Sequence, residues 1–529
     1  TFWGSNSQYN TAQYKDLVDT YNKGQGLLDG VYVVYSPKGG DYSSSLSTIL
    51  RGRNAPNVCL VGDKYFKAFA AQGLLANLEP YLADPSTYTR NAEGELNFDL
   101  SDIYENNVYR YRYDKEHNTA GSDDSPLYAL PNGSVPTIVM YNEDFFQEAG
   151  INIISVAEED LEAYNTANST SFKPHGYAEY AVAAIPQAGL TVSENLQGEK
   201  VIKVFNNQIP MNWTELVTLS RQFTKAYNPA SPSFYGFLSE WWFPYGWSVG
   251  GDCIQWDEKN NKYVFSLGDE TSNYLVTKTA VINGHNYGAG EILSYNDAKT
   301  VEAKYTSLVQ DGTLYEIPSQ YEAFSEFCAL YQVKNQNVDS KGKLGYGIAP
   351  NPTEVGSNRT TYFTSGKSAM LIEQFSQANI VARNLDDKWG FAPAWQYREY
   401  DCGDVAGSLN GSSGTLKIIG KSYDGVVYTG DIKKVNGTEI VGYQEASSLN
   451  TGIAISEKSS AEKKAASWKF VQFLAGKAGQ KILGTANDII PNQISYINSQ
   501  DYQANSLFAN NNIKAGRQTS KVYGKGNNG

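Results

Sequence analysis

Apolar and polar positions change period several times over the first 72 residues, so that helix-like and strand-like segments follow one another. In residues 11–22 the positions Tyr14, Leu17, Val18 and Tyr21 have helical spacing, whereas residues 57–61 (NVCLV) are continuously apolar, as in a buried strand. The pattern predicts helices over 11–22, 43–50 and 64–72, and strands over 30–35 and 57–61. This alternation is typical of a parallel sheet with right-handed crossovers, in which ligands bind at the carboxyl ends of the strands.

The pattern changes beyond residue 127. Residues 152–208 are polar and poor in helical spacing, which predicts an insertion or lid rather than core. Asn212 is a predicted N-cap, since an amphipathic stretch over 213–227 follows it. The other predicted helices cover 142–150, 295–311, 461–474 and 478–484, the predicted strands cover 135–141, 369–372, 389–394 and 451–456, and residues 396–448 are predicted as loops and hairpins.

Composition and charge exclude several classes of protein. The chain has 529 residues, 41% of them hydrophobic and 19% charged, which is typical of a globular protein with two large domains or three to four smaller ones. Its 43 Lys+Arg against 56 Asp+Glu give a net charge of −13, and it has no long basic run. We therefore expect no nucleic-acid partner. No stretch of about 18 apolar residues predicts a membrane span.

Aromatic residues are abundant, with 39 Tyr, 9 Trp and 21 Phe. Tyr and Trp join a flat apolar face to a polar group, which suits a surface that binds amphipathic ligands such as sugars. A Tyr-rich extracellular surface without any ligand explains the same composition, so both interpretations stay open here.

Cysteine and histidine offer little material for metal or nucleophilic chemistry. Cys59, Cys253, Cys328 and Cys402 form no CxxC pair, so buried thiols are expected, with one disulfide among the later three as the alternative. The three histidines lie in polar stretches and are interpreted as solvated surface residues. We expect no metal site, no cofactor and no catalytic triad.

Five segments, in order, resemble the carbohydrate-binding extracellular solute-binding proteins of ABC importers, the family that includes maltose-binding protein. They are TFWGSNSQYNTAQYKDLVDTYN at 1–22, NAPNVCLVGDKYFKAFAAQGLLANLEPYL at 54–82, residues 127–150 with the core YNEDFF, FTSGKSAMLIEQFSQANI at 363–380, and residues 450–484 with SSAEKKAASWKFVQFLAGKAGQ. Together they cover about half of the chain.

The resemblance implies an α/β fold of the type II periplasmic-binding-protein kind: two doubly wound lobes joined by a hinge that the chain crosses three times. The expected crossings lie at 128–139, 367–372 and 456–465. Lobe 1 is then expected over 1–138 and 372–460, and lobe 2 over 139–371 and 461–529. Insertions are expected at 152–208 and 256–298 in lobe 2, and at 405–446 in lobe 1.

Polar candidates for a ligand cleft follow from the strand ends and from the resemblance. Asp63 directly follows a buried strand at a predicted switch point and is the leading acceptor of sugar hydroxyls, although it also suits an N-cap. Asn6 lies where the family places a polar cleft group, or it caps the next helix. After the strand at 369–372 the family turns into the cleft, which places Glu373 and Gln374 against ligand and Phe375 as a lesser stacking wall. Asn132 and Asn410 are weaker candidates.

Tryptophan supplies the candidates for stacking on sugar rings. Trp241, Trp242 and Trp247 lie too close together in a loop for all three to belong to the core, and Trp395 and Tyr397 follow the predicted strand 389–394. The other tryptophans discussed lie within periodic apolar patterns and are interpreted as packing residues: Trp3, Trp213, Trp389 and Trp468.

The resemblance implies a receptor that captures an oligosaccharide between its lobes and delivers it to the transmembrane subunits of an ABC transporter, without catalysis. A monomer is expected, either periplasmic or a cell-surface lipoprotein. The start at Thr1, within a predicted strand and without Met, suggests that a signal peptide with a lipidated cysteine was removed, which would be the protein's one membrane contact. The alternatives are a non-sugar solute such as a peptide, a glycoside hydrolase built on a carboxylate pair, and a surface adhesin.

Overall fold

The computed structural model describes residues 1–5, 11–121, 124–185, 189–239, 243–356, 358–385, 388–401, 406–409, 412–415, 429–443, 451–485 and 489–503. Its strands are β1 (Phe2–Ser5), β2 (Tyr35–Lys38), β3 (Val58–Gly62), β4 (Tyr113–Asp114), β5 (Thr119–Ala120), β6 (Leu130–Pro131), β7 (Thr137–Asn142), β8 (Ile151–Ile154), β9 (Tyr177–Ala181), β10 (Ser193–Glu194), β11 (Lys200–Asn206), β12 (Ile254–Asp257), β13 (Lys262–Phe265), β14 (Asn273–Val276), β15 (Ala280–Ile282), β16 (His285–Tyr287), β17 (Leu314–Ile317), β18 (Met370–Gln374), β19 (Trp389–Pro393), β20 (Tyr400–Asp401), β21 (Ala406–Leu409), β22 (Ser412–Thr415), β23 (Asp431–Ile432), β24 (Lys434–Val435), β25 (Thr438–Glu439) and β26 (Thr451–Ile455).

The α-helices are α1 (Thr11–Lys23), α2 (Gln25–Asp29), α3 (Tyr42–Ile49), α4 (Asp63–Ala71), α5 (Glu79–Leu82), α6 (Glu105–Tyr109), α7 (Glu143–Glu148), α8 (Leu161–Asn168), α9 (Trp213–Gln222), α10 (Phe243–Ser248), α11 (Tyr295–Ala298), α12 (Val301–Lys304), α13 (Thr306–Gln310), α14 (Gln320–Tyr331), α15 (Pro352–Val355), α16 (Arg359–Thr364), α17 (Ala378–Leu385), α18 (Ala461–Ala475), α19 (Lys477–Gly484), α20 (Ile494–Ile497) and α21 (Gln500–Gln503). Single turns of 3-10 helix lie at Pro85–Thr87, Leu100–Asp102, Glu158–Asp160, Val182–Ala184 and Phe375–Gln377.

The first sheet has the strand order β2-β1-β3-β26-β6. Strands β2, β1 and β3 run parallel, as the alternating pattern of the first 72 residues predicts, and β26 enters antiparallel beside β3. Helix α1 buries the four predicted positions at 14, 17, 18 and 21 in the core of this sheet, which we call the first core. A face of α1 with helical spacing thus covers one side of the parallel strands.

The second sheet is built around β7, the central strand, which pairs antiparallel with β18 on one side and β19 on the other. Every residue of β7 is buried, because further layers also cover both faces of the sheet. Residues 235–239 extend the sheet, since Leu238 N donates to Met370 O and Ile372 N donates to Leu238 O. One face packs in a cluster with α16, α17 and the C-terminal helices α20 and α21. The other face packs in the largest core of the protein, which includes α9.

Residues 152–208 are not a lid, contrary to the sequence prediction. They supply β9, β10 and most of the third sheet, in which β11 pairs parallel with β8 and antiparallel with β9. Tyr177, Ile202 and Phe205 are wholly buried in the largest core. The periodicity misses this because strands buried on both faces, such as β11 (KVIKVFN), carry Lys and Asn among their apolar residues.

Two segments lie on a different sheet from the one that the predicted boundaries assign. Helices α18 and α19, expected in lobe 2, pack in the first core, where the Phe470 ring lies 5.4 Å from that of Phe2 in β1 and 5.0 Å from that of Tyr21 in α1. Residues 372–401, expected in lobe 1, supply most of β18 and all of β19 of the second sheet. The chain therefore returns to the first sheet between Tyr443 and Thr451, and it leaves again after α19.

Helix α9 begins at the predicted N-cap. Asn212 Oδ1 accepts from Glu215 N and Glu215 Oε2 accepts from Asn212 N, which completes a capping box. Glu215 Oε1 also lies 2.5 Å from Nδ1 of His175, whose Nε2 lies 2.8 Å from Gly430 O. His175 is buried, so its interpretation as a surface histidine is wrong; a charged partner and a carbonyl satisfy both ring nitrogens in the core.

Gly236 is required where residues 235–239 cross α9. A Cβ at this position would lie 2.0 Å from the carbonyl oxygen of Ser220 in α9. We expect Gly236→Ala to lower the free energy of unfolding by about 3 kcal/mol, because the helix backbone cannot move aside. Gly268→Ala is the matched control, since its Cβ meets nothing within 4 Å and we expect a change below about 0.5 kcal/mol. Urea denaturation measures both, and equal midpoints would contradict the packing described.

Candidate ligand-binding cleft

Four strand ends of the first sheet meet at one edge. The parallel strands β1, β2 and β3 end at Ser5, Lys38 and Gly62, with Ser5 opposite Lys38 in register, and β26 begins at Thr451 opposite Gly62. Because parallel strands end on the same side, polar groups that follow them are brought together. We call this edge, with Asp63 and Asn132 next to it, the first cleft edge.

Asp63 is the first residue of α4, and Gly62 is the N-cap. The Asp63 carboxylate therefore does not cap the helix. Its Oδ2 accepts from Arg110 Nη1 at 2.7 Å and its Oδ1 accepts from the Tyr111 hydroxyl at 2.6 Å. The Asp63 side chain is 24% exposed and that of Arg110 is 14% exposed, so a paired acceptor and donor reach the surface at the strand end. A negative charge is also favourable in the first turn of a helix.

Trp3 and Lys38 form a second feature of this edge. The Lys38 Nζ atom lies 4.2 Å from the centroid of the Trp3 ring, within cation–π distance. Trp3 is half-buried. Part of its side chain packs against the first core, as predicted from the sequence, and the rest is accessible to solvent. The Tyr42 hydroxyl donates to Trp3 O and Leu60 O, which fixes α3 against the same strands.

Asn132 is buried and does not present its side chain to the cleft. Its Nδ2 donates to the Tyr14 hydroxyl and to Thr451 Oγ1, and its backbone N donates to Thr451 O at 2.9 Å. Asn132 thus attaches the end of β6 to the start of β26. The amide holds the chain where it leaves the first sheet, and the prediction that it faces ligand is corrected accordingly.

A second edge, in the second sheet, lies one short connection along the chain from the first. Strand β7 begins at Thr137, which pairs with Gln374 at the end of β18. Five residues join Pro131 of the first sheet to Thr137, and such a connection spans at most about 20 Å. Ser134 in this connection exchanges two backbone hydrogen bonds with Ile490, at 2.8 and 2.7 Å, where the chain passes between the sheets again.

The residues predicted after β18 differ in their surroundings. Gln374 is half-buried at the second edge, whereas Glu373 is 7% exposed and its Oε2 accepts from Arg359 Nε at 3.0 Å. Phe375 is 1% exposed and its ring packs 5.6 Å from that of Phe391. Phe375 is a core residue and not a stacking wall, because the first residue after the strand turns back into the apolar layer under α17.

Trp395 and Tyr397 are likewise core residues, so neither ring has a free face for a sugar. The Trp395 ring packs 4.7 Å from Tyr245 and 5.5 Å from Phe237. The Tyr397 hydroxyl donates to Glu399 Oε1 at 2.6 Å, and burial raises the pKa of Tyr397 well above its usual value. Both follow β19 into the largest core of the protein instead of leaving the sheet at its edge.

The remaining predicted residues divide into two groups. Asn6, Trp241, Trp242 and Asn410 lie outside the described residues. Trp247 is described; it is half-buried at the end of α10 and lines a cavity of about 360 Å³. The sequence analysis missed Arg110 and Arg359, since their carboxylate partners lie 47 and 14 residues away and neither separation is a local pattern that predicts an ion pair.

Other kinds of site find no support in the described part of the chain. Its residues contain no group of three or more His, Cys, Asp or Glu placed to hold a metal ion. Cys59, Cys253 and Cys328 are free thiols, and Cys402 lies outside the described residues. Within the same ranges, no helix combines the length and the apolar character needed to cross a membrane.

Separate α/β sheets joined by short connections agree with the two-lobe fold of the type II periplasmic binding proteins. Residues 16–510 match the family model of the bacterial extracellular solute-binding proteins, and the chain belongs to this family. It is the solute-binding protein of an ABC transporter. The members of the family bind solutes and are not enzymes. No curated protein matches the chain.

Solved structures share the fold at low identity. The GacH receptor of Streptomyces glaucescens, solved unliganded and with acarbose, is 15% identical with a TM-score of 0.50, and the match covers 99% of this chain and 86% of the receptor. UgpB from Mycobacterium tuberculosis, solved with glycerophosphocholine, is 13% identical with a TM-score of 0.51, over 98% of this chain and 84% of UgpB. At these identities the likeness shows the fold alone.

Loss of the Asp63 charge should destabilise the first lobe. We expect Asp63→Asn to lower the free energy of unfolding by about 2 kcal/mol, because Arg110 and the Tyr111 hydroxyl lose a charged acceptor where water reaches them poorly. The control is Asp19→Asn on the exposed face of α1, where we expect almost no change. Chemical denaturation checks the pair, and identical midpoints for Asp63→Asn and wild type would show that the ion pair contributes nothing.

Proposed function

We propose that the solute is an oligosaccharide, which the protein captures between its two lobes for delivery to the membrane subunits of the transporter. The observation that carries the proposal is the Asp63–Arg110 pair at the first cleft edge, where three strands end together. Neighbouring hydroxyls of a sugar act as donors and acceptors at once, and this pair offers a carboxylate and a guanidinium side by side.

The aromatic content of the cleft region adds support. A sugar ring has C–H patches on its faces, which pack on flat aromatic rings. Trp3 lies on the strand that ends beside Asp63, and the candidates Trp241 and Trp242 follow Ser239, which pairs with Ile372 near the end of β18. We keep Asp63, Asn6, Gln374, Trp241, Trp242 and Trp247 as proposed ligand contacts, and Glu373 as a residue that positions Arg359.

A non-sugar solute is the second candidate function. The neighbour UgpB was solved with glycerophosphocholine, whereas the GacH receptor was solved with acarbose, so the fold accommodates both kinds of ligand. An anionic solute needs cations at the cleft, and Lys38 and Arg110 are placed there. We favour a sugar because Arg110 is already paired with Asp63 and Lys38 lies over the Trp3 ring.

We further propose that the receptor acts as a monomer outside the cytoplasm, held at the membrane by a lipid anchor. The two lobes would be the first sheet with α18 and α19, and the second and third sheets with their helices. Mass spectrometry of the protein isolated from its natural cell envelope tests the anchor. An N-terminus without lipid would contradict it.

Isothermal titration calorimetry tests the solute class. After unfolding and refolding to remove bound ligand, we expect saturable one-to-one binding to one class among maltooligosaccharides, xylooligosaccharides, mannooligosaccharides, fructans and galactooligosaccharides, with micromolar affinity, about −8 kcal/mol. The sugar should be recovered unchanged after long incubation. Binding of glycerophosphodiesters or peptides, with silence across every sugar, would exclude the carbohydrate assignment.

Asp63→Asn should weaken that binding about 10- to 100-fold, since one charge-assisted hydrogen bond is worth about 1.5–3 kcal/mol. The titration is made at a temperature where circular dichroism shows the variant folded. Asp19→Asn again serves as the control and should bind like wild type. Unchanged affinity in Asp63→Asn would place the ligand away from the first cleft edge.

A further inference from the structure

A pocket lies where the end of α10 meets the β15–β16 hairpin and the segment that follows it. Its volume is about 360 Å³, within the range of roughly 300–1,000 Å³ that is usual for small-molecule sites. Three aromatic residues line it, Trp247, Tyr287 and Tyr443, together with the polar residues His285, Asn286 and Glu291.

Two glycines bring the pocket walls together. Gly250 has φ +81°, and a Cβ there would lie 2.6 Å from Cγ2 of Ile292; a Cβ at Gly251 would lie 1.7 Å from Oε1 of Gln320. Gly250 therefore requires glycine by its backbone conformation and its contact with Ile292, whereas a Cβ at Gly251 would displace the end of the Gln320 side chain. Ile292 is buried and lines the pocket.

Hydrogen bonds hold two of the aromatic residues. The Tyr443 hydroxyl accepts from Ile292 N at 3.1 Å, while the backbone N of Tyr443 donates to Ser248 O at 2.9 Å. The Tyr287 hydroxyl donates to Asp297 and accepts from Ser294 N at 3.2 Å. Rings fixed in this way lose little conformational freedom when a ligand binds, which favours affinity.

The polar groups of the pocket supply donors and an acceptor. Buried Asp297 Oδ2 accepts from His285 Nδ1 at 2.9 Å, and this hydrogen bond raises the pKa of the exposed His285. Glu291 Oε2 accepts from Gly288 N at 2.8 Å, and its Oε1 has no donor among the described residues. No Lys or Arg is among the lining residues, which disfavours a phosphate or a sulfated ligand.

We propose that this pocket is an accessory subsite that binds one sugar unit of an oligosaccharide whose other end lies in the cleft; the inference rests on the proposed function. Aromatic faces with a carboxylate, an amide and an imidazole at their rim suit the C–H faces and hydroxyls of a sugar. The chain limits the distance from the pocket to both edges: α10 begins four residues after Ser239, and Tyr443 lies eight residues before Thr451, which span at most about 14 and 29 Å.

Calorimetry with a series of increasing length, from the glycan class that wild type binds, tests the subsite. We expect Trp247→Ala and Glu291→Gln each to weaken binding of the longest members about tenfold and to leave the shortest member unchanged. Asn286→Ala, a change on the exposed hairpin, should show the same dependence on length without any effect on stability. Thermal unfolding checks that the variants are folded.

The matched controls are Trp256→Ala, on the exposed β12–β13 hairpin, and Glu302→Gln on α12. Neither residue lines the pocket, and both variants should bind every member as wild type does. The subsite would be overturned if the three pocket variants bound glycans of every length with wild-type affinity. It would also be overturned if they lost the same affinity for every length. Absence of any sugar binding in the wild type would instead overturn the proposed function, and the subsite with it.

Discussion

The arrangement of the two sheets depends on the five residues between Pro131 and Thr137. Their backbone is held at Ser134, which exchanges two hydrogen bonds with Ile490, and Asn492 Nδ2 donates to Pro131 O beside them. So short a connection keeps the end of β6 within about 20 Å of the start of β7. This constraint limits how far the two sheets can separate, and hence how wide a cleft between them can open.

Rotation of one lobe against the other would act on the same few residues. Gly133 has φ +108°, and a Cβ there would lie 2.8 Å from Cδ1 of Ile489, so the two crossing segments are packed without room for a side chain. Hinges absorb backbone rotation at a few positions of this kind, while the packed cores on either side move as rigid bodies. Asn132, tied to Tyr14 and Thr451, fixes where the rotation can begin on the first sheet.

The sequence predicts best what local periodicity controls. The positions at 14, 17, 18 and 21 gave α1 its buried face, and Asn212 gave α9 its cap. Interpretation of residues 152–208 as a lid was wrong because β11 is buried on both faces and shows no alternation. Of the candidate site, Asp63 could be found from its position after a buried strand, whereas Arg110 could not, because 47 residues separate the two partners. Trp395 and Tyr397 follow a strand as Asp63 does, yet the tertiary path of the chain takes them inward.

The position of β26 has a consequence for how the protein folds. This strand, formed by residues 451–455, lies between β3 and β6, so the first sheet lacks an interior strand until the ribosome has made most of the chain. Residues 1–131 alone would leave β3 with an open edge, and the first core without α18. Contacts of such long sequence separation slow folding, and open strand edges attract other chains. The lobe whose synthesis begins first therefore stays incomplete until β26, α18 and α19 have been made, and β3 keeps an open edge until then.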